Sequence, residues 1–318
     1  MTVIIPKKAY LTVVAASIRY ANAKIPFDDW LEIYGIFTGK TSKDGEDLII
    51  TEAYNITHQV RKEEDIIDKV FWSDEDYISF SIIDDEAFSK GEYTVGWFHS
   101  HPGHRVMMTS LDIRTTATYQ KFNPLAISLV FNPERLIKQR EPAVKRGDPD
   151  IKLKNDPGFK IFSLDDPEML DSNYHEVNDY RIEGFESMEQ LVEKSQKFAL
   201  DITNLFPKDD IIKSYKKFVK SNIKQLNSLL MGTEEYLKTL ALKGEKSRIP
   251  EVLETQGKDI KKFVAETFMK IENIKDFMDY LEYKEREAII PKVNDVLSRW
   301  DDAISNLDHQ LNELSRKF

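Results

Sequence analysis

The chain has 318 residues, 41% hydrophobic and 31% charged, with a formal net charge of -10 and no cysteine. The missing thiols exclude disulfides, thiolate metal sites and a cysteine nucleophile. The acidic balance argues against general nucleic-acid binding, which depends on cationic neutralisation of phosphate. No run of about 18 apolar residues and no basic-then-apolar leader occurs, so the reading is a cytoplasmic protein, neither membrane-spanning nor secreted.

From the N-terminus, Ala9 to Asn22 is amphipathic at helical spacing. The run Trp30-Leu31-Glu32-Ile33-Tyr34-Gly35-Ile36-Phe37-Thr38-Gly39 then places an acidic residue in an apolar stretch that passes two glycines. A carboxylate there is poorly solvated. Either Glu32 sits exposed at a helix end, or it serves as a general base. Asp47 to Thr57 reads as extended after a turn at Asp44-Gly45. Ser73 to Ser89 fits two periods, because Phe80, Ile83 and Ala87 share a helical face while Ile78, Phe80 and Ile82 alternate; we read helix. Tyr93 to Phe98 is a strand, Leu111 to Phe122 a helix, and Leu125 to Phe131 a buried strand closed by Asn132-Pro133. Glu134 to Pro157 is charged, rich in Pro and Gly and without apolar periodicity, so it reads as a mobile loop. Its cations, among them Arg135, Lys138, Arg140, Lys145 and Arg146, form either a solvated surface or a partner-docking patch. Phe159 to Leu164 and Asn178 to Glu183 are further strands. The mixture predicts an α/β sheet flanked by helices.

One cluster carries chemistry. His99-Ser100-His101-Pro102 directly follows the strand at Tyr93 to Phe98, and Asp112 comes eleven residues after the second histidine. Two imidazoles one residue apart on an extended backbone point to the same side, and the aspartate comes round on the next element. Two nitrogens and one carboxylate leave a fourth tetrahedral position open, as a catalytic zinc site requires. His104 reads as an exposed loop residue and Met107 and Met108 as an apolar wall. His58, His175 and His309 are isolated and receive no role.

Near residue 186 the chain becomes helical. Val293, Leu297, Trp300, Ile304, Leu307, Leu311 and Leu314 keep a heptad seam. Ile260, Phe263, Val264, Phe268, Ile271, Ile274, Phe277, Met278 and Leu281 form a similar stripe. Pro207, Gly232, Gly244, Pro250 and Pro291 divide the segment into about four helices. The seams are buried either in a hairpin of the chain itself or against a partner helix.

The order Glu32, then His99-x-His101-Pro102, then Asp112 with ten residues between it and His101, resembles the JAMM motif of the MPN-plus zinc metalloproteases. That family includes deubiquitinating subunits of the proteasome lid, the signalosome and endosomal machinery. Glu32-x-x-Gly35-x-x-x-Gly39 is similar to its glutamate strand, and Gly96-Trp97-Phe98-His99-Ser100-His101-Pro102-Gly103 to its ligand loop. The chain looks most like the proteasome-lid type of subunit or an archaeal counterpart. The resemblance covers residues 1–185, which it marks as an MPN/JAMM domain with a cytidine-deaminase-like sheet; residues 186–318 follow as an all-α helical bundle or coiled-coil region for assembly.

The resemblance implies one zinc ion per chain held by His99, His101 and Asp112, with Glu32 as general base. It implies cleavage of the isopeptide between the tail of ubiquitin, or of a ubiquitin-like modifier, and a lysine. The family carries a serine eight residues beyond the second histidine to support the oxyanion; here Thr109 stands there, followed by Ser110. Either hydroxyl can donate that bond, and either can cap the helix that begins near Leu111. The family also has an insertion near its active-site groove where Glu134 to Pro157 lies, and its C-terminal helices join proteasome or other MPN-type partners. Two other functions compete: a catalytically silent or partner-activated MPN scaffold, and a zinc hydrolase acting on a small carboxylated or sulfur-carrier substrate. Glu32 together with the full ligand set argues against the scaffold, and the helical extension favours macromolecular partners over a small substrate.

Overall fold

The computed structural model describes residues 1–60, 70, 72–137, 155–169, 171–205, 211–305 and 307–318. Their order is β1 (Thr2–Ile5), α1 (Lys7–Tyr20), β2 (Ile33–Thr41), β3 (Asp47–His58), α2 (Asp74–Ser89), β4 (Tyr93–Ser100), α3 (Ser110–Phe122), β5 (Ile127–Phe131), α4 (Pro133–Ile137), β6 (Phe159–Leu164), β7 (Tyr174–Glu176), β8 (Tyr180–Ile182), α5 (Met188–Leu205), α6 (Ile211–Leu242), α7 (Ile249–Met278), α8 (Tyr283–Ser305) and α9 (Leu307–Lys317). Two compact units result: Met1–Phe206 with Tyr280–Glu285, and Pro207–Asp279 with Arg286–Phe318. The expected α/β sheet flanked by helices and the all-α C-terminal region are both present.

In the first unit the strands form a mixed sheet ordered β7-β6-β5-β4-β2-β3-β1-β8. The β4/β5 pair is parallel, as are the two pairs made by β1, and the remaining pairs are antiparallel. Every residue of β5 is buried, as a strand covered on both faces requires. Helix α1 packs across β2 to β5, α2 against β2 to β4, and α3 against β4 to β6. Gly35 lets β2 and β4 close up, because a Cβ there would overlap the Phe98 ring.

Helices α2 and α3 both start with reciprocal capping boxes. Ser73 accepts from the Asp76 N–H while Asp76 accepts from the Ser73 N–H, and Thr109 and Asp112 do the same for α3. The helical reading of Ser73 to Ser89 therefore holds. Ile78 and Ile82, the outer members of the competing alternation, are exposed.

Several expectations change. Strands β1 and β7 are short and were not expected; they extend the sheet through backbone pairing rather than through a conspicuous side-chain pattern. The supposed loop at Glu134 begins with α4, where Arg135 is 3% exposed and its guanidinium meets Asp156 at 2.6 Å. Arg135 is thus an internal ion-pair partner, and not a surface docking cation. Lys138, Arg140, Lys145 and Arg146 lie outside the described residues. Helix α5, beyond the change of character at residue 186, packs on α1 and α4, and Gln196 Nε2 donates to the Leu136 carbonyl at 2.7 Å.

In the second unit α6 packs on α7, and α7 on α9. Leu226, Ile260 and Leu307 are buried together, with Phe263, Val264, Ile304 and Leu311 against them. The seam is thus covered within the chain. Gly232 and Pro291 do not divide helices: α6 runs through the first and α8 through the second, since tertiary burial outweighs a local cost of about 1 kcal/mol for Gly. Gly244 lies in the break before α7 and Pro250 in the first turn of that helix, and Pro207 lies outside the described residues. Phe268 faces outward, 42% exposed, rather than along the stripe. No helix among the described residues is long and apolar enough to cross a membrane.

Candidate metal centre

His99 and Trp97 alternate with Phe98 and Ser100 along β4, so the imidazole and the indole share a face. Beyond β4, the His101 N–H donates to the Phe131 carbonyl at the end of β5 (2.8 Å), and the His104 N–H closes a turn onto the His101 carbonyl (3.1 Å). Gly103 makes that turn at φ +75°, a conformation costly for other residues. Asn132 Nδ2 then holds the His104 carbonyl at 2.7 Å. Asp112 arrives as the third residue of α3, where the capping box fixes its carboxylate.

Glu32 is placed by backbone pairing. It lies just before β2, whose Tyr34 pairs with His99. The hydroxyl of Ser100, between the two histidines, accepts from the Ile33 N–H at 3.1 Å, and the Gln59 N–H donates to the Glu32 carbonyl at 2.8 Å. Glu32 is thus a half-buried residue at a strand entrance, not at a helix end. It lines one cavity of about 1280 Å³ with His99, His101, Thr109 and Asp112.

The three donor groups converge. His99 Nε2 lies 3.1 Å from His101 Nε2 and 3.3 Å from Asp112 Oδ1, and His101 Nε2 lies 3.6 Å from Asp112 Oδ2. Ligands of a tetrahedral zinc at about 2.0–2.1 Å stand about 3.3 Å apart, so the spacing fits such an ion. His101 Nδ1 is 3.0 Å from the Arg105 carbonyl. A carbonyl only accepts, so Nδ1 carries the hydrogen and Nε2 presents a lone pair to the cluster. Burial above all, then the neighbouring His99, lowers His101 to about 4, which keeps it neutral at pH 7. Burial pushes Asp112 up, but His99 and His101 and the Thr109 N–H hold it well below the usual carboxylate range. A buried anion and an aligned neutral imidazole facing one point suit a small divalent cation. Among the described residues this is the one grouping of three such side chains with donor atoms within 4.8 Å of one another.

Thr109 and Ser110 separate. Thr109 lines the cavity, and its hydroxyl both accepts from the Asp112 N–H (3.3 Å) and donates to Asp112 Oδ2 (2.7 Å). Ser110 is exposed as the first residue of α3 and is not part of the lining. His104 and Met107 border the cavity, whereas Met108 is buried in the core under α3.

Sequence reasoning missed the aromatic wall of Tyr34, Trp72, Phe80, Trp97 and Tyr119. Trp97 could have been found, because it stands two residues before His99 on one strand face. Phe80 lies on α2 and Trp72 just before it, and neither carried such a sign.

Fold and site together define an α/β domain built around a buried cluster of two histidines and a carboxylate fit for a metal ion. Residues 1–125 match the family described as JAB1/Mov34/MPN/PAD-1 ubiquitin protease, so this part of the chain is similar to a JAB/MPN domain. The chain is 27% identical over 111 residues to COP9 signalosome complex subunit 5 of Neurospora crassa (35% of this chain, 32% of that one). The same subunit of Oryza sativa subsp. japonica is 26% identical over 175 residues (54% and 42%). The 26S proteasome non-ATPase regulatory subunit 14 of Dictyostelium discoideum is 24% identical over 165 residues (48% and 50%). The matched stretches span only a third to a half of those relatives' own lengths.

Proposed function

We propose that the chain is a zinc-dependent isopeptidase that removes ubiquitin or a ubiquitin-like modifier from lysine side chains. The observation that carries this reading is the convergence of the His101 lone pair, His99 Nε2 and the Asp112 carboxylate on one point, in a cavity that Glu32 also lines. A zinc ion held by His99, His101 and Asp112 would supply an activated water and polarise the scissile carbonyl. Glu32 accepts a proton from water in the cavity and returns it to the departing lysine amine. Thr109, the one of the two candidate hydroxyls that lines the cavity, turns its hydrogen from Asp112 towards the oxyanion. The aromatic wall suits an extended tail lying in the cavity, since flat rings cover an unfolded segment without demanding secondary structure of it. The similarity to a signalosome subunit and a proteasome regulatory subunit supports a substrate of this class, and C-terminal helices that join an assembly of proteasome or MPN type.

The test is cleavage of a modifier–lysine conjugate by the zinc-loaded chain. Activity is expected, with loss of at least about 10²-fold in Glu32→Gln while zinc is retained. A zinc-loaded wild type inert on every conjugate, alone and with assembly partners, would favour the scaffold reading.

A further inference from the structure

The two histidines of the cluster are held differently. His101 anchors its Nδ1–H on a backbone carbonyl, the usual way a ligating imidazole is kept in its tautomer and plane. His99 does not: its Nδ1 is buried and has no hydrogen-bond partner among the described residues. Its ring lies flat on the Trp97 indole, centroids 4.3 Å apart and planes 9° apart. Tyr34 also stacks on Trp97, at 5.0 Å and 24°, and the Tyr34 hydroxyl meets that of Tyr119 on α3 at 2.9 Å. The indole is itself anchored: Nε1–H donates to Thr116 Oγ1 at 3.1 Å, and the Thr116 hydroxyl donates to the Asp112 carbonyl at 2.7 Å. Trp97 is 2% exposed and Thr116 0%.

From this geometry we infer that Trp97 is a positioning residue of the metal centre, replacing by ring stacking the hydrogen bond that His99 lacks. Its hydrogen bond to Thr116 couples the plane of His99 on β4 to the turn of α3 that carries Asp112. One three-ring stack, Tyr34–Trp97–His99, thereby sets the relative placement of two of the three ligands. The inference rests on the metal-centre reading above.

The test measures Zn2+ affinity of the full chain by competition with a chromophoric chelator, and the visible absorption of the Co2+-loaded chain as a report on ligand geometry. Trp97→Leu should weaken zinc by about 10–100-fold, the range of other groups that orient metal ligands, and should alter the cobalt bands. Trp97→Phe, which retains a flat ring, should recover most of the affinity. Ile5→Ala, a buried core substitution on β1, which β2 and β3 separate from β4 in the sheet, should lower the unfolding temperature yet leave zinc affinity and cobalt spectrum as in the wild type. Wild-type affinity in a folded Trp97→Leu chain, or an equal loss in Ile5→Ala, overturns the positioning role. A wild-type chain that takes up no metal overturns the metal centre itself, and the positioning role with it.

Discussion

Asp112 occupies the position where the first turn of α3 needs an anion, and it faces two imidazoles at the same time. Thr109 serves both roles through one hydroxyl, capping the helix and gripping the carboxylate. Thr109→Ala should therefore cost about 1 kcal/mol of stability and weaken zinc binding as well, whereas Thr109→Ser should restore both; calorimetry and zinc titration check this. Ser110→Ala should change stability by less than about 0.5 kcal/mol and leave zinc affinity untouched, because its side chain is exposed outside the cavity. The grouping of His99 and His101 was legible in sequence because period-2 alternation turns the two side chains to one side. Their supports were less so: the Arg105 carbonyl that orients His101 is a backbone group, and backbone groups leave no trace in residue identity.

Among the elements, the segment Tyr280–Glu285 links α7 to α8 yet is part of the first unit. Glu282 is 1% exposed and receives the Tyr20 hydroxyl at 3.0 Å and His58 Nδ1, while Arg19 grips Glu285 through both guanidinium nitrogens. Lys284 reaches Asp76 of the α2 capping box at 2.8 Å. Burial raises Glu285, but Arg19 holds it below the ordinary glutamate range. The folded state then binds this proton more weakly than the unfolded chain does, so the pair stabilises above the ordinary glutamate pKa of about 4.3, and that stability is lost as pH falls through the lowered value. Urea unfolding of wild type and Glu285→Gln at pH 7 and pH 3 should show a smaller acid-induced drop in the variant; equal drops would contradict the assignment. His58 and the 280–285 segment lie more than two hundred positions apart, which is why single-residue reading left His58 without a role. The main helices and strands β3 to β6 were legible from the residue pattern, β2 only through the family resemblance, and the α2 ambiguity was settled by Ser73 and Asp76 at its start. The short β1 and β7 were not legible, since three or four residues cannot display a period.

For the molecule as a whole, the change in composition at residue 186 marked where helices begin, but composition does not say which surface a helix covers. Helix α5 covers α1, and Tyr283 packs with Ile36, Ile56 and Ile83 in the core cluster that also includes the cavity residues Tyr34, Trp72 and Phe80. Tyr283→Ala should thus cost the first unit about 3 kcal/mol or more. Denaturant unfolding followed by fluorescence of Trp30, Trp72 and Trp97 should report it, and an unmoved transition would refute that packing. The heptad seam left two destinations open in the sequence, and Leu226, Ile260 and Leu307 supply the one within the chain. Metal analysis of zinc-loaded, dialysed protein tests whether His99, His101 and Asp112 form one metal centre served by Glu32. A single zinc per chain is expected in wild type and in Glu32→Gln, and none in His99→Ala. Zinc retained in His99→Ala, or absent from the wild type, excludes that centre.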